Sequence, residues 1–310
     1  MSAVMISAAL DAAFGEPPLR WHPVVWTGRY LQFAGRRVPA SPPAASMLRG
    51  GAGWAIGATA AVACGAAITR IARCLPASGS AAVTGLAMWP LLSVRLLLHE
   101  VAAVEAALEH DVAAGRAALS RIVSRDTAVL TEEEVRASAV ESLAENLSDS
   151  VVAPLFWFSV AGLPGATLYR FSNTADAMWG YRTPRWEYAG KVSARADDLL
   201  NLLPARLTAA MLLIGADRGS WCRIIADARR TPSPNSGWPM AALALRLNLR
   251  LTKPGIYVLN PDAAAPQPED TAAALTLARR TALGAFLAAA GVAHVRRIQR
   301  SHPARHKEAI

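Results

Sequence analysis

The chain has 310 residues, of which 53% are apolar and only 18% charged, and its mean hydropathy is +0.25. Soluble domains carry about a quarter charged residues, so a chain wetted on every side is disfavoured and residence in a bilayer is the simplest account. A net charge of +9 fits basic residues beside an anionic leaflet or attraction of anionic substrates. Nucleic-acid binding is disfavoured, because the basic residues are scattered and no zinc-finger spacing, RNA-binding signature or basic amphipathic stripe accompanies them.

In chain order, residues 1–10 are apolar but lack a basic start and run into Asp11, which argues against a cleavable signal. Residues 39–43 read as a loop. Uncharged apolar stretches follow at 51–69 and 77–94. Residues 99–124 place Val101, Val104, Leu108, Val112, Leu119 and Ile122 at helical steps, predicting an amphipathic surface helix. Thr131 and Glu134 form a capping-box pattern that starts a long helix. Further apolar stretches lie at 150–169 and 281–293, and at 199–216, where Arg206 interrupts. The prolines of residues 231–239 predict a rigid turn region, and 261–267 a flexible connection.

A spanning helix needs about 20 mostly apolar residues, so four or five membrane-embedded helices are expected. The predicted class is an all-α, polytopic helical membrane protein with a broken helical hairpin and amphipathic surface helices. Residues 1–310 are expected to form a single membrane-embedded domain, with an extramembrane helical portion at about 99–149 and a loop-rich portion at about 217–280. The three cysteines, Cys64, Cys74 and Cys222, form no CxxC, so neither a disulfide framework nor a zinc site is indicated. Two of them sit in or beside apolar segments and read as buried thiols.

The most informative segment runs from Glu141 to Arg206. Glu141, Glu145 and Asp149 repeat every four residues and share a helix face, with Ser142, Asn146 and Ser148 nearby. Beyond the apolar stretch lie Asn173, Asp176 and Arg182. One straight crossing would hold the two polar clusters about 30 Å apart. Gly162-Leu163-Pro164-Gly165 is a strong breaker, however. A reversal there leaves arms of about 21 and 18 Å at 1.5 Å per residue, returning Asn173 and Asp176 to the level of Asp149. The hairpin is therefore preferred. A third cluster follows, with Arg195, Asp198 and Asn201 at steps of three, Asp197 adjacent and Arg206 about two turns on.

Blander roles compete with each motif. Glu141 and Glu145 suit a solvated face. Asp197 or Asp198 suits simple pairing with Arg195. Asp126 suits a cap, His22 an ordinary loop position, and Arg206 a snorkel to the interface. Ionisable residues at membrane depth are nonetheless functional candidates, and several fall in one segment.

No Walker A loop, GxSxG, HExxH or Cys/His pair is present. The remaining inventory of Asp, Glu, Asn, Arg and Ser suits Mg²⁺ with phosphates, and arginine clamps for phosphate or carboxylate. It fits phosphoryl chemistry, or activation of a carboxylate for attack by an amine.

DAAFGEPPLRWHPVVW, Arg125-Asp126-Thr127, ESLAENLSDSVVAPLFW, NTADAMWGYR, SARADDLLNLLPARLTA, SPNSGWPMAA and KPGIYV, in that order, resemble the CobD/CbiB family, the adenosylcobinamide-phosphate synthases of the cobalamin pathway. Glu16 stands where an Asp is expected, and Trp179 where a smaller apolar residue is common. The first departure weakens any metal-ligand role at that position.

The resemblance implies a multi-pass protein of the cell inner membrane that joins the carboxylate of (adenosyl)cobyric acid to aminopropanol or its phosphate, with ATP and Mg²⁺. Corrinoid, amine, membrane lipid and other cobalamin-pathway membrane enzymes are the implied partners. On chemistry, Glu145, Asp149, Asp176 and Asp198 are the expected catalytic residues, the three aspartates doubling as Mg²⁺ ligands. His22, Asn146, Asn173, Arg195, Asn201, Arg206 and Asn235 are expected to bind substrate, the arginines at phosphate, with the loop around Asn235 covering the corrinoid. A non-catalytic scaffold for pathway enzymes is the first alternative. A transporter is the second, but it would repeat its broken helix in both halves.

Overall fold

A computed structural model describes residues 2–39 and 41–301. Local capping sets most boundaries. α1 (Ala3–Phe14) begins on Ser2, whose Oγ accepts from the Met5 amide, and stops at Gly15. α2 (Pro23–Gly35) begins on His22, whose Nδ1 accepts from the Val24 amide at 3.2 Å. α3 (Pro43–Arg73) and α4 (Ala77–Met88) follow, then α5 (Val94–Leu108).

The helix expected over 99–124 is two helices. Asp111 adopts an extended conformation and accepts from the Ala114 amide at 2.7 Å, so it caps a new helix, α6 (Val112–Leu119). The apolar face of α5 is as expected, with Val101, Val104 and Leu108 buried.

α7 (Glu132–Leu147) starts with the expected capping box between Thr131 and Glu134. One π-helical turn, Ser148–Val152, joins it to α8 (Ala153–Trp179). α8 reverses at Gly162, whose φ of 68° and ψ of −159° suit only glycine. α9 (Lys191–Leu212), α10 (Arg218–Ala228) and α11 (Gly237–Leu247) lead to a two-stranded antiparallel hairpin, β1 (Leu251–Lys253) and β2 (Tyr257–Leu259), with Lys253 opposite Tyr257. α12 (Pro268–Ser301) is last. The portion at 217–280 therefore holds α10, α11, this hairpin and the first turns of α12 between its loops.

Four helical stretches are long and apolar enough to cross a bilayer: Pro43–Arg73, Ala77–Leu108, Glu132–Trp179 and Pro268–Arg296. The chain is a multi-pass membrane protein. The third stretch turns back on itself at Gly162. Its tip packs on α3, where a side chain on Gly65 would come within 2.8 Å of the Pro164 nitrogen. Small residues allow this approach in a medium that supplies no hydrophobic drive between helices.

α7 is the central post, buried from Val135 through Ala144. Arg136 on it makes a bidentate pair with Glu105 at 2.9 and 3.0 Å and a second pair with Glu132, while Thr271 donates to Glu105 at 2.6 Å. That network ties α5, α7 and α12 together. Trp179, 1% exposed, stacks on Trp186 with ring centroids 5.3 Å apart. The buried-thiol expectation fails: Cys64 and Cys74 are exposed, as is Cys222. Cys64 faces outward from α3, whose buried side is made largely of the small residues Ser46, Gly50, Gly57, Ala58, Gly65 and Ala72.

Candidate functional site

The four-residue repeat on α7 delivers Glu141 and Glu145 to one side. Their fates differ. Glu141 is 1% exposed and pairs with Arg125 at 2.8 Å, while Arg125 also donates to Ser138 Oγ at 2.9 Å. Glu145 instead borders two cavities. The π turn Ser148–Val152 then adds a residue to the helical repeat where Asp149 sits; such turns recur at functional sites.

The reversal in α8 brings its second arm back to Asp149. Asn173 donates from Nδ2 to Asp149 Oδ2 at 3.3 Å and to Asp197 Oδ1 at 3.4 Å. One turn earlier, Arg170 donates to Ser150 Oγ at 3.2 Å. On α9, Asn201 donates to Asp197 Oδ2 at 3.1 Å and accepts from the Tyr169 hydroxyl at 2.9 Å. The first arm is fixed to α9 by Trp157, whose indole donates to the Leu200 carbonyl at 2.9 Å.

These elements enclose a chamber of about 190 Å³ walled by Glu145, Ser148, Asp149, Asp176, Asp197, Asp198 and Asn201. Ser233, Asn235, Ser236 and Pro239 complete the wall. The loop is pinned there because Asn235 Nδ2 donates to the Asp198 carbonyl at 2.7 Å. A second cavity of about 320 Å³ shares Glu145 and Asp176 and adds Arg125, Asn146, Tyr181 and Lys253. A third, of about 500 Å³, shares Ser142 and Asn146 with the second and reaches Ser93, Glu100 and Arg121.

Five carboxylates around one small chamber repel one another, so the chamber favours a cation, whether an ammonium or a metal ion. Burial, reinforced by the nearby Asp176, pushes the Asp197 carboxyl up to about 7. It can therefore exchange a proton near neutrality. The hard oxygen donors match Mg²⁺, which binds through one or two carboxylates and fills its shell with water and substrate phosphates. Among the described residues no three His, Cys, Asp or Glu side chains form a ready-made metal cage.

The other expected residues lie further out. Arg195 is 78% exposed and pairs with Asp198 at 3.2 Å. Arg206 donates to the Leu202 carbonyl at 2.7 Å and to Asn235 Oδ1 at 3.3 Å, with its guanidinium 4.6 Å from the Trp238 ring centroid. It props the loop that carries Asn235. His22 is buried at the head of α2, its Nε2 3.3 Å from Glu16 Oε2, and Glu16 accepts from Ser93 at 2.6 Å. Asp11 caps α5 by accepting from the Arg95 amide at 3.0 Å. The N-terminal motif thus clamps α1, α2 and α5 together. Asn146 donates back to Ser142 and borders the second and third cavities.

Residues 4–284 match the family described as CobD/Cbib protein. The chain belongs to that family. It is 38% identical over 299 residues to the "Probable cobalamin biosynthesis protein CobD" of Methanothermobacter thermautotrophicus, covering 94% of this chain and 97% of that protein. It is 39% identical over 309 residues to the "Cobalamin biosynthesis protein CobD" of Rhodobacter capsulatus, covering 92% and 94%. A third protein of the same name, from Rhizobium meliloti, is 38% identical over 274 residues, 82% of each chain. No solved structure matches the chain. Membership makes this a biosynthetic enzyme of the cobalamin pathway and favours neither the scaffold nor the transporter.

Three residues of the family motifs join the site although spacing did not single them out. Asp197, not Asp198, accepts from both Asn173 and Asn201; a four-residue step to Asn201 is as good a helical neighbour as a three-residue step. Arg125 and Lys253 meet on the second cavity from a loop and from β1. Only their place in the motifs RDT and KPGIYV marks them in the sequence.

Proposed function

We propose that the chain forms an amide between a corrin side-chain carboxylate of (adenosyl)cobyric acid and the amine of aminopropanol or aminopropanol phosphate, yielding (adenosyl)cobinamide or its phosphate. The observation that carries this reading is the Asn173 bridge between Asp149 and Asp197, which assembles the acid chamber from three helices. An amine arrives as an ammonium, which the acid chamber attracts, and it must lose a proton before it can attack a carbonyl carbon. Asp197, titrating at about 7, suits the role of base. Glu145 and Asp176, on the wall shared with the second cavity, hold the ammonium on that path. Asn146 and Asn201 orient the carboxylate or the corrin amides.

Amide formation releases the carboxylate oxygen, so it needs an activating donor, and ATP is the one the family resemblance implies. Mg²⁺ would take one or two of the carboxylates of Asp149, Asp176 and Asp198, fill its shell with water and phosphate oxygens, neutralise phosphate charge and polarise the acyl oxygen. Arg206 keeps the loop of Asn235 closed over the chamber, and Arg195 steadies Asp198. The protein works in the cell inner membrane, in contact with its lipid and beside other membrane enzymes of the pathway.

The test uses protein purified in detergent with cobyric acid, ATP and Mg²⁺, and either aminopropanol or its phosphate, with product masses read by mass spectrometry. A mass gain equal to the amine less water supports the assignment. Unchanged cobyric acid with both amines, in protein that is folded and monodisperse, overturns it.

A further inference from the structure

Lys253 is half-buried, borders the second cavity, and has no hydrogen-bonded or ion-paired partner for its ammonium among the described residues. It is not a loose surface lysine. β1 holds its backbone in register with Tyr257, and the Tyr257 hydroxyl contacts Met240 Sδ at 3.7 Å. Across the cavity, Arg125 pairs with Glu141, while Lys253 lies within the field of Glu141 and Glu145 without closing an ion pair to either. Ser124 and Tyr181 on the same wall bring hydroxyl donors.

The cavity and the acid chamber meet at Glu145 and Asp176. A ligand lying across that shared wall is offered carboxylates at one end and cations at the other. A small amino-alcohol phosphate carries the matching pair, an ammonium and a phosphate joined by a short chain. At about 320 Å³ the cavity sits at the small end of ligand pockets, which run from about 300 to 1,000 Å³. That size suits a phosphorylated amine better than a nucleoside triphosphate.

We propose that Lys253 and Arg125 form a phosphate subsite that seats the phosphoryl group of the amine substrate and directs its ammonium into the acid chamber. The subsite rests on the amide-forming reading for its substrate, and it makes Lys253 the residue that distinguishes phosphorylated from free amine. Arg125 also carries Glu141, so the decisive variants are at Lys253.

Removing one charge-assisted contact to phosphate, Lys253→Gln raises the KM for aminopropanol phosphate about tenfold more than the KM for aminopropanol. Lys253→Arg restores most of the difference. An equal change for both amines, or none, overturns the subsite. A titration of aminopropanol phosphate, inorganic phosphate and ATP into detergent-solubilised protein, read by calorimetry, is independent of turnover. Weaker binding of aminopropanol phosphate and inorganic phosphate in Lys253→Gln, with ATP binding unaltered, supports the proposal even if no amide forms in the turnover assay. Unaltered phosphate binding, or a loss confined to ATP, overturns it.

Discussion

Asn173 and Asp149 are 24 positions apart in sequence yet share a 3.3 Å hydrogen bond. An unbroken helix would hold them about 36 Å apart. The second donation from the same amide, to Asp197, brings α9 into the bridge, so one side chain gathers two carboxylates that would otherwise repel. Asn173→Leu removes both donors and leaves the carboxylates facing each other. Unfolding in mild detergent should show a loss of about 1–3 kcal/mol, with amide formation falling further than the stability loss explains. Wild-type turnover in a stably folded variant would contradict the bridging role.

The Asp197 carboxyl, pushed up to about 7 by burial from an ordinary 3.8, gives two pH signatures of known sign. As a base it must be ionised, so kcat/KM rises with pH and levels off above about 7. As a buried acid its charge is costlier folded than unfolded. Its contribution to stability is therefore complete below 3.8 and lost as pH rises toward about 7. Asp197→Asn should flatten the dependence of thermal unfolding over that window and lower turnover by about 10² to 10⁴. An unchanged pH profile in the variant would assign the titration to another group.

Gly162 holds a backbone conformation closed to other residues. Gly162→Val should cost about 1–3 kcal/mol in strain. It should also displace the second arm, seen as lost amide formation together with faster proteolysis at the hairpin. Full activity would mean that the reversal tolerates a different turn.

The network of Arg136, Glu105 and Glu132 is structural. Arg136→Ala leaves Glu105 without its bidentate partner, and breaking such a buried pair costs about 3–5 kcal/mol. The paired change Arg136→Met with Glu105→Leu should recover much of that loss. A thermal-unfolding comparison of the single and double variants decides it.

The hairpin was legible because Gly162-Leu163-Pro164-Gly165 combines two glycines with a proline between arms of nearly equal length. The capping box at Thr131 was legible for the same local reason. The π turn before α8 was not, because no residue type marks where a helix takes up an extra residue. The break at Asp111 stayed hidden because apolar residues spaced by seven fit one helix or two in series. Arg125 and Lys253 are distant in sequence and meet only through the tertiary fold. Cys64 and Cys74 misled because an apolar segment in a bilayer can turn its small side chains toward lipid instead of inward.

The turn at Gly162 also has a consequence for sidedness. The second arm of α8 returns Asn173 beside Asp149, so the acid chamber lies at the open base of a cul-de-sac. On the proposed reaction, reactants and product share that one mouth, and the hairpin supplies a bench for the chemistry without a passage through its closed tip.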